Sequence, residues 1–475
     1  MKTKPVFAVW IYWGAEMRMF VFSGLVRELA RYGDVLLVGR KDVRARAGSS
    51  VPECCRVAVV PEMPPPRALS VVDSLANTMQ AERVRRRYRG LAVRDDAAVN
   101  RKWSMLHRLR GAAGRAAARA GAIRALNGVL LAWAERSVRA QAALTEPLAV
   151  AGRPVVCLQG DYLSVWGHLF AAGAAAAGSV VYYPMNWRDI SKGARVALPA
   201  SDICVWNDNM GEALLRNNPW LRGIPLHVVG STQFDSHFRS DWYQDRMSFC
   251  REMGLDANRR IMCYSAVNDN AYRGEAALVD LLAQRLAAAR LADSIQILVR
   301  LNPTGSDPAY QRLPARHPGL VVLSSPAWDT EPASAGVPAW RANTEEDARR
   351  MTNLVRHCDL HACLPSTMVI DFGIRGVPSV CFGFDPHDGL RRPSPAAAFV
   401  AQEMFGEAFT SGAALVADAA DTLVPAVRQG LSPDPRREAA LRRFVRQSAG
   451  AADGTAHRVL ARTLAGCADA AGWTR

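Results

Sequence analysis

Short apolar runs alternate with helix-forming segments along almost the whole chain, and that alternation restricts the fold more than any other feature. The first unit reads VFAVWIY, then MRMFVFSGLVRELARYG ending at Gly33, then DVLLVG. Strand, helix and strand in that order predict a βαβ opening. Apolar runs at 56–60, 154–158, 179–183, 202–206 and 226–229 extend a parallel sheet from it. A second series begins at 260 with RIMCYSA, IQILVRL, LVVLSS, DLHACL and SVCFGF, separated by helical stretches that include 274–291 and 344–358. The pattern predicts an α/β chain built on two parallel sheets. Its 475 residues also exceed what one ordinary core holds.

The junction between the two series falls near VVGSTQFDSHF (228–238). We therefore expect an N-terminal domain over 1–235, a C-terminal domain over 236–432 and two terminal helices in 433–475. The first series is interrupted at 64–150 by PPP and then an Ala/Arg-rich stretch. It is too long for a loop and favours helix, so it reads as a helical insertion. Residues 1–15 resemble a secretory leader, but Trp13 stands where a small residue should precede the cut, so a first buried strand is expected. Residues 164–183 are uncharged and long enough to span a bilayer, yet they divide into an Ala/Gly-rich helix containing His168 and the strand SVVYY. A cytoplasmic protein is the expectation.

Net charge is +15, and most of it sits in one place. Between Arg83 and Arg139 fifteen Lys and Arg face three acidic residues, a local excess of +12. With Trp103, Leu106, Leu109, Leu130, Leu131 and Trp133 interspersed, 83–139 fits peripheral attachment to an anionic membrane surface at the inner face. A solvated helical hairpin is the plainer alternative. Nucleic-acid binding is the rival class, but no zinc-finger or RNP-like motif supports it, and no specific nucleic acid is expected. The ten cysteines form no CxxC pair and read as reduced thiols. His357, Cys358, His361 and Cys363 look like metal ligands but read more simply as a helix end and a buried strand, and no metal is expected.

Chemistry gathers where strands end. In doubly wound sheets ligands bind beyond the carboxyl ends of the strands, where helix N-termini favour phosphate. DLHACLP runs into Ser366 and Thr367, whose hydroxyls either cap the next helix or donate to a phosphate. IQILVR ends in Arg300, a cation suited to phosphate, followed by Asn302. RIMCYS ends in Ser265. Asp371 lies one turn beyond Thr367 amid apolar neighbours, where it serves either a ribose or an ion pair with Arg375.

These stretches resemble GT-B-type glycosyltransferases. They are particularly similar to the branch of CDP-glycerol glycerophosphotransferases and enzymes of bacterial capsule, teichoic acid and lipopolysaccharide assembly. The elements that carry the resemblance are VVGSTQFD, MCYSA, ILVRLNP and CDLHACLPSTMVIDFGIRGVPSVCFGFD, within roughly 200–390. The resemblance implies two Rossmann-like domains with the helical insertion in the first. It implies that Arg300, Ser366 and Thr367 hold the donor's phosphates, with Ser265 and Asn302 beside them, and that Asp371 holds the ribose. Asn302 stands where the branch commonly has His, so a proton-donating role fails at that position.

An inverting transfer needs a base for the acceptor hydroxyl. By the resemblance it comes from the N-terminal domain, facing the donor across the cleft. Glu16 in WGAEMR and Asp161 in LQGDYLS stand at strand ends there, Asp161 doubling as a candidate helix N-cap, while His168 reads as core. Arg18 and Lys192, the latter in PMNWRDISKGAR, are candidate acceptor or phosphate contacts. No Asp-x-Asp pair ends a strand, so a metal-independent reaction without cofactor is expected, its co-substrate a nucleotide-activated sugar and its acceptor a saccharide or lipid-linked surface polymer. The alternatives are a CDP-glycerol-type polyol-phosphate transferase, a nucleotide-sugar epimerase and a non-enzymatic basic nucleic-acid-binding protein.

Overall fold

The computed structural model describes residues 4–60, 67–87, 120–140, 146–149, 153–161, 164–186, 194–197, 199–269, 271–333, 339–386, 396, 400 and 403–469. Two compact units result: Met1–Asp235 with Asp329–Glu345 and Ala449–Arg475, and Ser236–Trp328 with Glu346–Ser448.

The first unit is built on seven strands, β1 (Val6–Ile11), β2 (Asp34–Gly39), β3 (Arg56–Val59), β4 (Val155–Gln159), β5 (Gly178–Tyr182), β6 (Asp202–Val205) and β7 (Leu226–Val228). They pair in parallel in the order β3-β2-β1-β4-β5-β6-β7. β1 and β4 are buried at every residue, because helices cover both faces of a parallel sheet; hence they read as unbroken apolar runs. The second unit contains β8 (Arg260–Ser265), β9 (Ile295–Arg300) and β10 (Val321–Ser324). After β11 (Trp328–Glu331) and β12 (Trp340–Asn343), which pair with each other, come β13 (Leu360–Cys363), β14 (Ser379–Phe382) and β15 (Ala414–Ala417). Its six parallel strands run β10-β9-β8-β13-β14-β15. Each sheet therefore reverses direction between its first and fourth strands, the topological switch point of a doubly wound fold.

Two segments depart from the sequence expectation. Residues 329–345 were expected in the second domain but belong to the first unit, because charge holds them there. Arg46 pairs with Asp329 and Glu331, Lys41 meets Glu331 at 2.7 Å, and the Ser50 hydroxyl donates to Glu345 at 2.9 Å. Arg40, only 3% exposed, lies over the rings of Tyr12 and Trp340. The terminal helices likewise divide. Pro435–Ala449 lies almost wholly in the second unit, where Leu441 and Val445 abut Gly373; Ala456–Ala468 packs against Leu25–Leu29 in the first.

The continuous helix expected over 17–33 is broken. Met17–Val21 forms a single π-helical turn, Ser23 Oγ donates back to the Met19 carbonyl at 2.6 Å, and Gly24 takes φ +93° before the helix Leu25–Leu29.

Within 64–150 the helices Arg67–Arg87 and Ala120–Ala140 pack together. A buried polar knot fixes them to the segment 194–197 between β5 and β6: Arg195 pairs with Asp73 and donates to Asn77 Oδ1 at 2.8 Å and Asn127 Oδ1 at 2.6 Å. Arg83, one of the basic residues, donates to the Asn217 carbonyl at 2.6 Å at a helix C-terminus, where a cation is favourable. Leu130 is buried and Trp133 is 38% exposed. Most of the basic run, 88–119 with Trp103, Leu106 and Leu109, lies outside the described residues. Among the described residues no helix is long and apolar enough to cross a membrane; 164–183 forms the helix Val165–Ala177 followed by β5.

Candidate functional site

In the second unit the strand register aligns the candidate donor residues. Ser265, the last residue of β8, stands opposite Arg300, the last of β9, and opposite Cys363, the last of β13. Leu364 and Pro365 follow, then Ser366 and Thr367, which precede the helix Met368–Gly373. Three adjacent strands thus deliver their carboxyl ends to one level of the rim, at the switch point.

What these side chains do there differs from one to the next. Ser366 Oγ accepts a hydrogen bond from Met368 N at 3.3 Å, a loose cap. Thr367 is half-buried and caps nothing, so its hydroxyl is available to a ligand. Arg300 is held rather than free: one terminal nitrogen donates to both oxygens of buried Asp347, at 3.1 and 2.9 Å. Trp328 Nε1 donates to the same carboxylate at 2.7 Å. The pair cancels much of the charge expected of Arg300 but fixes the direction of its guanidinium. Ser265 is 5% exposed, and its hydroxyl lies 3.1 Å from His361 Nε2; the other nitrogen of that imidazole lies 2.8 Å from Ser379 Oγ, and the ring stacks on Phe372.

Two candidates are corrected. Asp371 does not stand at the rim: it is 1% exposed and meets His237 Nε2 at 2.9 Å. Arg375, its other expected partner, lies over the rings of Phe238 and Tyr243. The helical period that set Asp371 below Thr367 carries it into the packed face with Val369, Ile370 and Phe372. The side chain of Asn302 is engaged at both ends, its nitrogen donating to the Ala266 carbonyl at 3.4 Å, just past β8. Its oxygen accepts from Thr304 N at 2.9 Å and Thr304 Oγ1 at 2.7 Å, an Asx-type turn.

In the first unit, Glu16 follows β1 and Asp161 follows β4, the two strands that flank that sheet's switch point. Both are fully buried. Glu16 accepts from Trp13 N at 3.1 Å, and burial, with the Asp161 charge adding to it, pushes its carboxyl up to about 7. Burial also raises Asp161, against the bonds from Ser164. Asp161 is not the helix cap. Ser164 caps Val165–Ala177 through Gly167 N at 2.8 Å, while Asp161 accepts from Ser164 N at 3.0 Å and from its hydroxyl. Gly167 is required here, since a Cβ would come within 2.3 Å of the Asp161 carbonyl. His168 is fully buried, its Nδ1 2.6 Å from the Ser164 carbonyl, and burial lowers its pKa. Arg18 donates to the Gln233 carbonyl at 3.2 Å and lies over Phe234. Lys192 lies outside the described residues.

Sequence reasoning passed over Glu275, His237 and Asp347. Glu275 accepts from Tyr264 OH at 3.0 Å and Val267 N at 2.9 Å, beside the β8 rim, and burial pushes it up to about 8. Its one sequence signal is a carboxylate directly after Gly274 at the head of a helix.

No protein-family model and no curated protein sequence matches this chain. Solved structures do. The UDP-GlcNAc 2-epimerase from Neisseria meningitidis bound to UDP-GlcNAc aligns at TM-score 0.50 and 10% identity, over 97% of this chain and 99% of that one. The wall teichoic acid polymerase TagF aligns at 0.49 and 9% identity, over 99% and 90%. A glycosyltransferase from Rickettsia africae ESF-5 aligns at 0.46 and 10% identity, over 97% and 98%. Of these, the epimerase likeness reaches 0.50, and at 10% identity it establishes architecture alone. With two parallel sheets of seven and six strands, this chain has the GT-B-type α/β fold, shared by glycosyltransferases and UDP-GlcNAc 2-epimerases.

Proposed function

We propose that the chain is a glycosyltransferase that moves a sugar from a nucleotide-activated donor to a bacterial surface polysaccharide or lipid-linked acceptor. The observation that carries the donor half is the register that sets Ser265 and Arg300 level with the end of β13, beside Ser366 and Thr367, at the second sheet's switch point. Aimed N–H and O–H donors, rather than an unpaired cation, would take the diphosphate. Glu16 is the better candidate for the base. A carboxyl near 7 is half ionised at neutral pH and accepts a proton readily, and Asp161 tunes it by charge. Asp161 itself is occupied by Ser164.

The same buried carboxylate pair favours a second reading, a nucleotide-sugar epimerase, since proton removal and return at carbon also need acids of this kind. The two readings separate cleanly by experiment: an epimerase converts its donor with no acceptor present, whereas a transferase releases nucleotide in an acceptor-dependent way. Calorimetric titration with UDP, CDP and GDP supplies the companion test. The double variant Ser366→Ala/Thr367→Ala should weaken the nucleotide that binds by roughly tenfold or more, the loss of one or two charge-assisted hydrogen bonds, with the unfolding transition unmoved. Unchanged affinity in that folded variant contradicts the site.

A further inference from the structure

Away from the rims, three side chains of the first unit converge on one point. Asp202 opens β6, His227 lies in β7 and Cys467 comes from the last turn of the helix Ala456–Ala468. One ligand atom from each, a carboxylate oxygen, an imidazole nitrogen and the thiol sulfur, lies within 4.8 Å of the other two. His227 Nε2 is 2.8 Å from Asp202 Oδ1. The strand register pairs His227 with Cys204, two residues after Asp202, so a second thiol emerges on the same face of the sheet. The segments that meet are far apart in sequence, which is why no ligand spacing announces them.

We propose that Asp202, His227 and Cys467 form a binding site for a single divalent transition-metal ion, zinc above all. The donor set is the argument. Thiolate and imidazole together select a borderline-soft ion and discriminate against magnesium and calcium, which prefer oxygen alone. With the thiol and the carboxylate ionised and the imidazole neutral, a dipositive ion leaves the group uncharged, so a partly buried site pays no net charge penalty. Tetrahedral zinc needs its nitrogen and oxygen ligands roughly 3.3 Å apart, so the Asp202–His227 contact opens by only about half an ångström. The His227 side chain is 37% exposed, giving the ion an entry path and a water its fourth position. Asp202 starts its strand, at the end of the sheet opposite the carboxyl rim where Glu16 and Asp161 stand. The ion's role is therefore to clamp the last helix onto β6 and β7, with no part in catalysis.

The test uses the untagged full-length chain, stripped with EDTA and then exposed to Zn²⁺ alone or Co²⁺ alone. One zinc per chain should survive desalting, and the cobalt form should show a thiolate-to-metal charge-transfer band. Both should vanish in Cys467→Ala. Should that variant fail to fold, His227→Gln, at a half-exposed position, is expected to fold and to lose the bound zinc. Zinc content in the wild type no higher than in Cys467→Ala overturns the proposal. So does a cobalt spectrum without the thiolate band, or one equivalent of zinc retained by folded His227→Gln.

Discussion

Glu16→Gln should inactivate the protein and stabilise it in the same stroke. Glu16 is fully buried, and its carboxyl is pushed up to about 7 from an ordinary 4.5, by burial first and by Asp161 second. The folded chain therefore prefers the protonated form, and folding takes up a proton between those two values. Across that window stability falls as pH rises, by about 3 kcal/mol in total, and above 7 the whole cost is present. Gln keeps an oxygen to accept from Trp13 N and carries no charge. Denaturant titrations at pH 5 and pH 8 should therefore find the variant little changed at the lower value and about 3 kcal/mol more stable at the higher. As the proposed base it should also lose at least about a hundredfold in donor turnover. A variant that is no more stable at pH 8 removes the buried-carboxyl account. One that is stabilised but fully active removes the base and leaves the electrostatics standing. Glu275, raised to about 8, adds a fall of the same sign in both proteins, so the comparison between them isolates Glu16.

The second large effect concerns the pair His237 and Asp371, each 1% exposed at the side chain and 2.9 Å apart. Within the second unit it joins the residues that follow Ser236 to the helix that follows Thr367. His237→Leu removes a hydrogen-bond donor from a buried carboxylate, a change that costs about 3 kcal/mol. For a unit of this size that is a drop of roughly 6–12 °C in Tm, read by calorimetry. Asp371→Asn should lose stability in the same direction and leave nucleotide affinity within about twofold, because the side chain is packed inside the unit. A folded Asp371→Asn with affinity lowered tenfold restores the ribose contact that the burial argues against.

The architecture was legible because strands buried on both faces, such as β1 and β4, write themselves as unbroken apolar words. β11 and β12 were not, since WDTE and WRAN carry as much charge as apolar surface. Nor was the allegiance of 329–345, which rests on Arg46 and Lys41 almost three hundred residues earlier. At the site, Ser366 and Thr367 could be found because a Pro and two hydroxyls where a strand hands over to a helix form a local pattern. Asp371 misled because helical periodicity says which residues share a face, not whether that face looks inward. Asp347 was invisible for the opposite reason: it lies 47 residues beyond Arg300, and only the fold brings them together. The turn at Asn302 was readable in principle, as an Asn followed at two by Thr closes such loops on its own.

The central claim is that the carboxyl rim of the second sheet holds the nucleotide's phosphates. Hydrogen exchange followed by mass spectrometry, with and without saturating nucleotide, locates the contact directly. Bound nucleotide should slow exchange in 264–268, 300–304 and 364–369, the three loops that the register sets side by side. Protection confined to the first unit, or absent from 364–369 while the nucleotide is bound, contradicts the claim.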